Sequence, residues 1–167
     1  KPIYNGGQVS ADRLLPARWD LLPPSSYMWA SVQTVRGCPK HCSFCSVWRT
    51  DGQKPRQRNS ERVIQEVVEL RRKGFRFIVL ADDNFYPVTL HDIEVADRRE
   101  NKESRDNLLR IRRERFELLK RMKQLPDDMV FFTQITMEAA EDPTFLEAMR
   151  EARILGVLVG IESVTAE

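Results

Sequence analysis

The chain has 167 residues, 41% of them hydrophobic and 31% charged, with a formal net charge of +2. That composition supports one domain with a packed core and excludes a disordered chain. The near-neutral charge gives no signal for nucleic acid or an anionic membrane, and no apolar run reaches the roughly 20 residues of a membrane span. Nothing at the N-terminus resembles a signal peptide. The chain starts at Lys1 without methionine and stops at Glu167 just after an apolar run, so it reads as a piece of something larger.

Residues 1–27 are rich in proline and turn formers, with scattered apolar anchors such as Leu14, Leu15 and Trp19, and read as a linker or lead-in along a domain surface. A strand over Met28–Val35 then runs into Arg36, Gly37 and the segment Cys38-Pro-Lys-His-Cys42-Ser-Phe-Cys45, which holds all three cysteines of the chain. Three thiols cannot all pair into disulfides, and their crowding on one loop points to a shared metal. They are one ligand short of the four that close a structural zinc or ordinary iron–sulfur site. Reduced cysteines suit a reducing compartment, and the expected location is the cytoplasm.

A polar loop over 49–58 precedes an amphipathic helix from about Ser60 to Lys73. Asn59 or Ser60 caps it, Val63, Ile64, Val67, Val68 and Leu70 form its apolar face, and Gly74 supplies a left-handed stop. Phe75–Leu80 is a nearly continuous apolar run, the pattern of a parallel strand covered on both faces, and it ends in Ala81-Asp82-Asp83-Asn84. The heavily charged stretch 91–124 reads as a solvated outer helix with Leu108, Ile111, Leu118, Met122 and Leu125 near one face. Pro126 ends it, and Met129–Ile135 is the next strand. Asp142-Pro143 opens a helix expected to close at Gly156, before a last strand over Val157–Ile161.

Strand and helix alternate, the mark of an α/β fold with four parallel strands in one sheet and helices outside. In such folds functional groups gather at the C-terminal ends of the strands. That rule brings Cys38, Cys42 and Cys45 together with Asp82, Asp83 and Asn84, and with Glu162 and Ser163 after the last strand. Gln134, Thr136 and Glu138 are set aside as ordinary polar residues, and Arg56 and Arg58 as solvated surface.

The spacing Cys-x-x-x-Cys-x-x-Cys, directly after a strand and a glycine, resembles that of the radical S-adenosylmethionine (radical SAM) superfamily. Arg36–Cys45, Asp82–Phe85 and Gly160–Ser163 further resemble its cobalamin-binding branch, and the likeness covers roughly residues 28–167. It implies a partial (β/α) TIM-type barrel, with four of the family's usual six strands, entered through a 1–27 lead-in from a cobalamin domain. It implies that Cys38, Cys42 and Cys45 hold a [4Fe-4S] cluster whose fourth iron binds the amino and carboxylate groups of SAM. An electron from a flavodoxin- or ferredoxin-type reductant then cleaves SAM to methionine and a 5′-deoxyadenosyl radical. Phe44 takes the position that packs near the adenine. Asp82, Asp83 and Asn84 take the place of the family's Gly-Gly-Glu segment beside the SAM ammonium, although this chain lacks the glycine pair. Glu162 and Ser163 fall where the family contacts the SAM ribose or carboxylate.

No residue acting on a substrate is identified, and neither His41 nor His91 sits in a cobalamin-ligand motif, so cobalamin belongs to the parent protein. The implied outcome is a cobalamin-dependent methyl transfer or rearrangement. A methylthiotransferase on the same barrel is one alternative. A non-catalytic zinc module completed by His41 or His91 is the other.

Overall fold

A computed structural model describes residues 2, 4, 6–23 and 26–161. The strands are β1 (Ala30–Val32), β2 (Val35–Arg36), β3 (Arg56–Gln57), β4 (Phe77–Leu80), β5 (Val130–Thr136) and β6 (Ile154–Gly160). The helices are α1 (Val47–Thr50), α2 (Ser60–Arg72), α3 (Leu90–Arg98), α4 (Lys102–Lys123) and α5 (Pro143–Glu151). Strands β1, β4, β5 and β6 form one parallel sheet in that order, as the alternating pattern implies.

The register places Ala30, Ile78, Phe131 and Ile154 in one line across the sheet. All four are buried, packed against Val63, Val67 and Leu70 of α2, Leu118 and Met122 of α4, and Phe145 and Met149 of α5. Among the described residues the helices cover only this face. The opposite face is open, so Phe77 and Leu158 remain 36% and 59% exposed. The expectation that Phe75–Leu80 is covered on both faces is therefore corrected: β4 alternates in burial because, among the described residues, one side of the sheet carries no helix. Replacing Leu158 with threonine is accordingly expected to change stability by no more than about 1 kcal/mol, measured by denaturant unfolding. A loss well above that would show this face to be buried.

Other boundaries differ for local reasons. The strand foreseen over Met28–Val35 breaks after Val32, because the amides of Thr34 and Val35 both turn to the Asp82 carboxylate. The chain then forms β2, which pairs antiparallel with β3 inside the segment expected to be a polar loop. The charged run 91–124 is two helices. Glu100 takes φ +53, Asn101 accepts the amide of Ser104 to cap α4, and α3 begins with a reciprocal cap between Thr89 and Asp92. Helix α5 stops at Glu151 rather than Gly156. Arg153 adopts φ +59, and its guanidinium binds the carbonyls of Met122, Leu125 and Met129, which satisfies the end of α4. Gly156 instead lies within β6, where a Cβ would come within 2.8 Å of the Phe132 ring.

The lead-in contains two single 3-10 turns, Ala11–Arg13 and Trp19–Leu21. Trp19 packs against Phe75 with ring centroids 5.7 Å apart, and the amide of Ala17 donates to Glu66. Among the described residues no helix is long and apolar enough to cross a membrane.

Candidate active site

The cysteine loop leaves β2 through Gly37, which is buried at φ +93. Its amide donates to Asp83 Oδ2 at 2.7 Å, and the next amide, that of Cys38, donates to the carbonyl of Gly52. Downstream, the Trp48 indole donates to the Cys42 carbonyl at 3.0 Å and stacks on His41 with centroids 3.8 Å apart. Arg49 lies over the same Trp48 ring. The loop is thus anchored through its backbone, and its three thiols are free of disulfides.

Cys38, Cys42, Cys45 and Phe44 line a cleft of about 510 Å³ together with Asp83 and Asn84 from the end of β4. That volume lies within the range of small-molecule and cofactor sites. Gln134, Thr136 and Glu138, set aside from the sequence, line the same cleft because β5 ends on the same rim, and Leu158 and Gly160 of β6 complete the wall. Lys40 of the cysteine loop forms an ion pair with Glu138 at this cleft. Burial raises the Glu138 carboxyl, but the Lys40 ammonium and the Glu138 backbone amide outweigh it and hold the group below its ordinary value. Phe44 is 70% exposed, a bare ring on the cleft wall. Asn84 is buried; its Oδ1 accepts the amide of Tyr86, while its Nδ2 has no partner. An amide donor buried without an acceptor is costly, and here it borders a cleft that a polar ligand would fill.

Asp82 does not join this group, which corrects the expectation from the sequence. It is 1% exposed and turned into the fold, accepting the amides of Thr34 and Val35 and the Thr34 hydroxyl. Arg115 of α4 lies 3.5 Å from it and donates twice to Thr34 Oγ1, at 2.9 and 2.7 Å. Burial pushes the Asp82 carboxyl up from its ordinary value, and Arg115, Thr34 and Val35 pull it back. A signal for Arg115 was present in the sequence: it sits at helical spacing between Ile111 and Leu118, a charge on the apolar stripe of α4. Glu162 and Ser163 lie outside the described residues.

Burial raises the Cys38 thiol above its ordinary value; the Lys40 backbone amide opposes the shift, and the neighbouring Cys42, Asp83 and Cys45 add to it. Among the described residues no three His, Cys, Asp or Glu side chains converge on a point that would hold a single ion. His41 is stacked on Trp48, and His91 lines a different cleft beside Lys54 and Arg99, so neither supplies a fourth ligand to the cysteines. Tetrahedral zinc needs its donors around one point. A multi-iron cluster takes each thiolate on a different iron, and all three cysteines line this one cleft. The donor set, the cleft volume and the unpartnered Asn84 amide fit a sulfur-ligated cluster with a polar organic ligand beside it.

A parallel β/α sheet with three thiols and polar groups at the C-terminal rim defines a cofactor-using β/α enzyme core. Residues 32–167 match the family model of the radical SAM superfamily, and the chain belongs to that superfamily, whose members are enzymes using a [4Fe-4S] cluster and SAM. The chain is 29% identical over 150 residues to the hopanoid C-2 methylase of Rhodopseudomonas palustris, covering 89% of this chain and 25% of that protein. Over a shorter stretch of 53 residues it is 45% identical to the tRNA-2-methylthio-N(6)-dimethylallyladenosine synthase of Buchnera aphidicola, covering 32% of this chain and 12% of the relative. In fold it resembles the radical SAM methyltransferase TsrM of Kitasatospora setae, solved with cobalamin and a [4Fe-4S] cluster. The TM-score is 0.55 at 22% identity, over 82% of this chain and 23% of that one. The chain spans about a quarter of the length of the hopanoid methylase and of TsrM.

Proposed function

We propose that Cys38, Cys42 and Cys45 carry a [4Fe-4S] cluster and that the adjoining cleft binds SAM, making residues 28–167 the N-terminal part of a radical SAM barrel. The carrying observation is that the cysteines, Phe44, Asp83 and Asn84, all singled out from the sequence, line one cleft in which the buried Asn84 Nδ2 has no partner. When bound and reduced, the cluster supplies the electron that cleaves SAM to methionine and a 5′-deoxyadenosyl radical.

The chain's own residues hold and orient the ligand. The exposed Phe44 ring offers a flat apolar surface for the adenine. Asp83, with one oxygen on the Gly37 amide, places negative charge where the SAM ammonium would sit. Asn84 Nδ2 donates to a ligand acceptor. The Lys40–Glu138 pair presents both charges to a zwitterion. Glu162 and Ser163 follow β6 in sequence and remain proposed contacts to the ribose or carboxylate. Replacing Asn84 with leucine is expected to weaken SAM binding about tenfold in calorimetric titration, with iron content unchanged. Equal affinity would remove Asn84 from the site.

The names of the relatives support a cobalamin-dependent methyl transfer in the longer protein, with residues 1–27 as the linker from an upstream cobalamin domain. A flavodoxin- or ferredoxin-type protein in a reducing cytoplasm would supply the electron. The shorter, more identical match favours methylthiotransfer as the second reading. Anaerobic reconstitution with iron and sulfide, followed by SAM and dithionite, tests the core of the proposal. About four irons per chain and release of 5′-deoxyadenosine are expected. One tightly held zinc with no iron would overturn it.

A further inference from the structure

We propose that Arg115, acting through Thr34 and Asp82, is a positioning residue that sets how the cysteine loop leaves the sheet. The inference rests on the reading of that loop as the cluster's seat, but its geometry stands independently. Thr34 is fully buried between β1 and β2, at the point where the chain turns from the parallel sheet into the cysteine loop. Its amide and that of Val35 donate to Asp82 Oδ1, and its hydroxyl donates to Asp82 Oδ2. The same hydroxyl oxygen accepts both terminal nitrogens of Arg115. Arg115 is 2% exposed and stacks on Phe85 with its guanidinium carbon 4.7 Å from the ring centroid.

The next carboxylate, Asp83, accepts the Gly37 amide. Consecutive residues at the end of β4 thus split their work. Asp82 holds the chain before the loop and Asp83 holds its first glycine, which fixes the direction in which Cys38 enters the cleft. On the far side the carbonyl of Thr34 accepts the Arg58 amide, and the carbonyl of Gln33 accepts the Arg58 guanidinium. Arg58 is itself held by a buried ion pair with Glu66 at 2.7 Å. The turn is therefore clamped from α4 on one side and α2 on the other. Arg115 reaches no cleft-lining atom; its influence passes through Thr34 and Asp82.

Replacing Thr34 with valine keeps the shape and removes the hydroxyl that joins Arg115 to Asp82. Amide hydrogen exchange on the iron-free chain is then expected to quicken about tenfold across Gly37–Cys45, while α2 and β5 exchange as before. Arg115→Lys, which keeps the charge but loses the fork on Thr34 Oγ1, is expected to show the same pattern more weakly. After reconstitution, Thr34→Val is expected to lose iron to a chelator about fivefold faster and to shift the electron paramagnetic resonance signal of the reduced cluster. Unchanged loop exchange, or exchange that quickens equally in every element, would overturn the inference. If the unaltered chain takes up no iron, the cluster reading fails, and loop exchange still decides the role of Arg115.

Discussion

Cys42→Ala is expected to reduce the iron bound after anaerobic reconstitution from about four per chain to background, and to abolish SAM cleavage. The substitution is clean because the structural work of this residue is done by its backbone. Its carbonyl accepts the Trp48 indole and the Cys45 amide, and neither bond involves the thiol. Circular dichroism and the unfolding midpoint should therefore match the unaltered chain. Two thiolates are too few to hold the cluster. Ser43→Ala, on the exposed neighbouring residue, should load iron normally. Full iron in Cys42→Ala would remove Cys42 from the ligand set.

Gly37→Ala is the second substitution with a large expected effect, and it leaves all three cysteines in place. Gly37 sits at φ +93, where an L side chain costs roughly 1–2 kcal/mol by itself. A Cβ there would also stand 2.9 Å from the carbonyl oxygen of Gly52 and 3.1 Å from that of Lys54. Both obstacles are backbone carbonyls rather than the ends of flexible side chains, so relieving the contact means moving the opposing chain. The expected loss is about 3 kcal/mol by denaturant unfolding, with cluster loading falling because the Gly37 amide leaves Asp83. Gly74 provides the control. It has φ +100 but open space around its Cβ position, so Gly74→Ala should cost only about 1 kcal/mol and leave iron loading intact. Equal behaviour of the two variants would show that the close approach at Gly37 is not what seats the loop.

The four strands of the parallel sheet and helices α2 and α5 were legible because these helices carry their own caps and apolar stripes, Asn59 with Val63 and Val67 and Asp142 with Phe145, whereas α1 has neither and was not foreseen. The parallel sheet followed from the alternation, and the rim followed from the sheet. Boundaries were less legible where a tertiary partner outbid local pattern. Val35 leaves the sheet for Asp82, and Arg153 takes a left-handed conformation because its guanidinium meets carbonyls of a distant helix end. Phe77 reads as buried and is not, since apolar character records what a strand can bury and not whether anything covers it.

By itself, then, the sequence determined the cysteine motif, the rim that carries it, and the family to which its spacing belongs. These depend on residue type and separation along the chain. The tertiary structure decided the division of labour between adjacent carboxylates: Asp82 turns inward to Thr34 and Arg115, and Asp83 borders the cleft. Neighbours in a loop carry the same chemistry in sequence. Only the direction of each side chain, set by what α4 brings beneath the sheet, separates a residue that shapes the site from one that lines it.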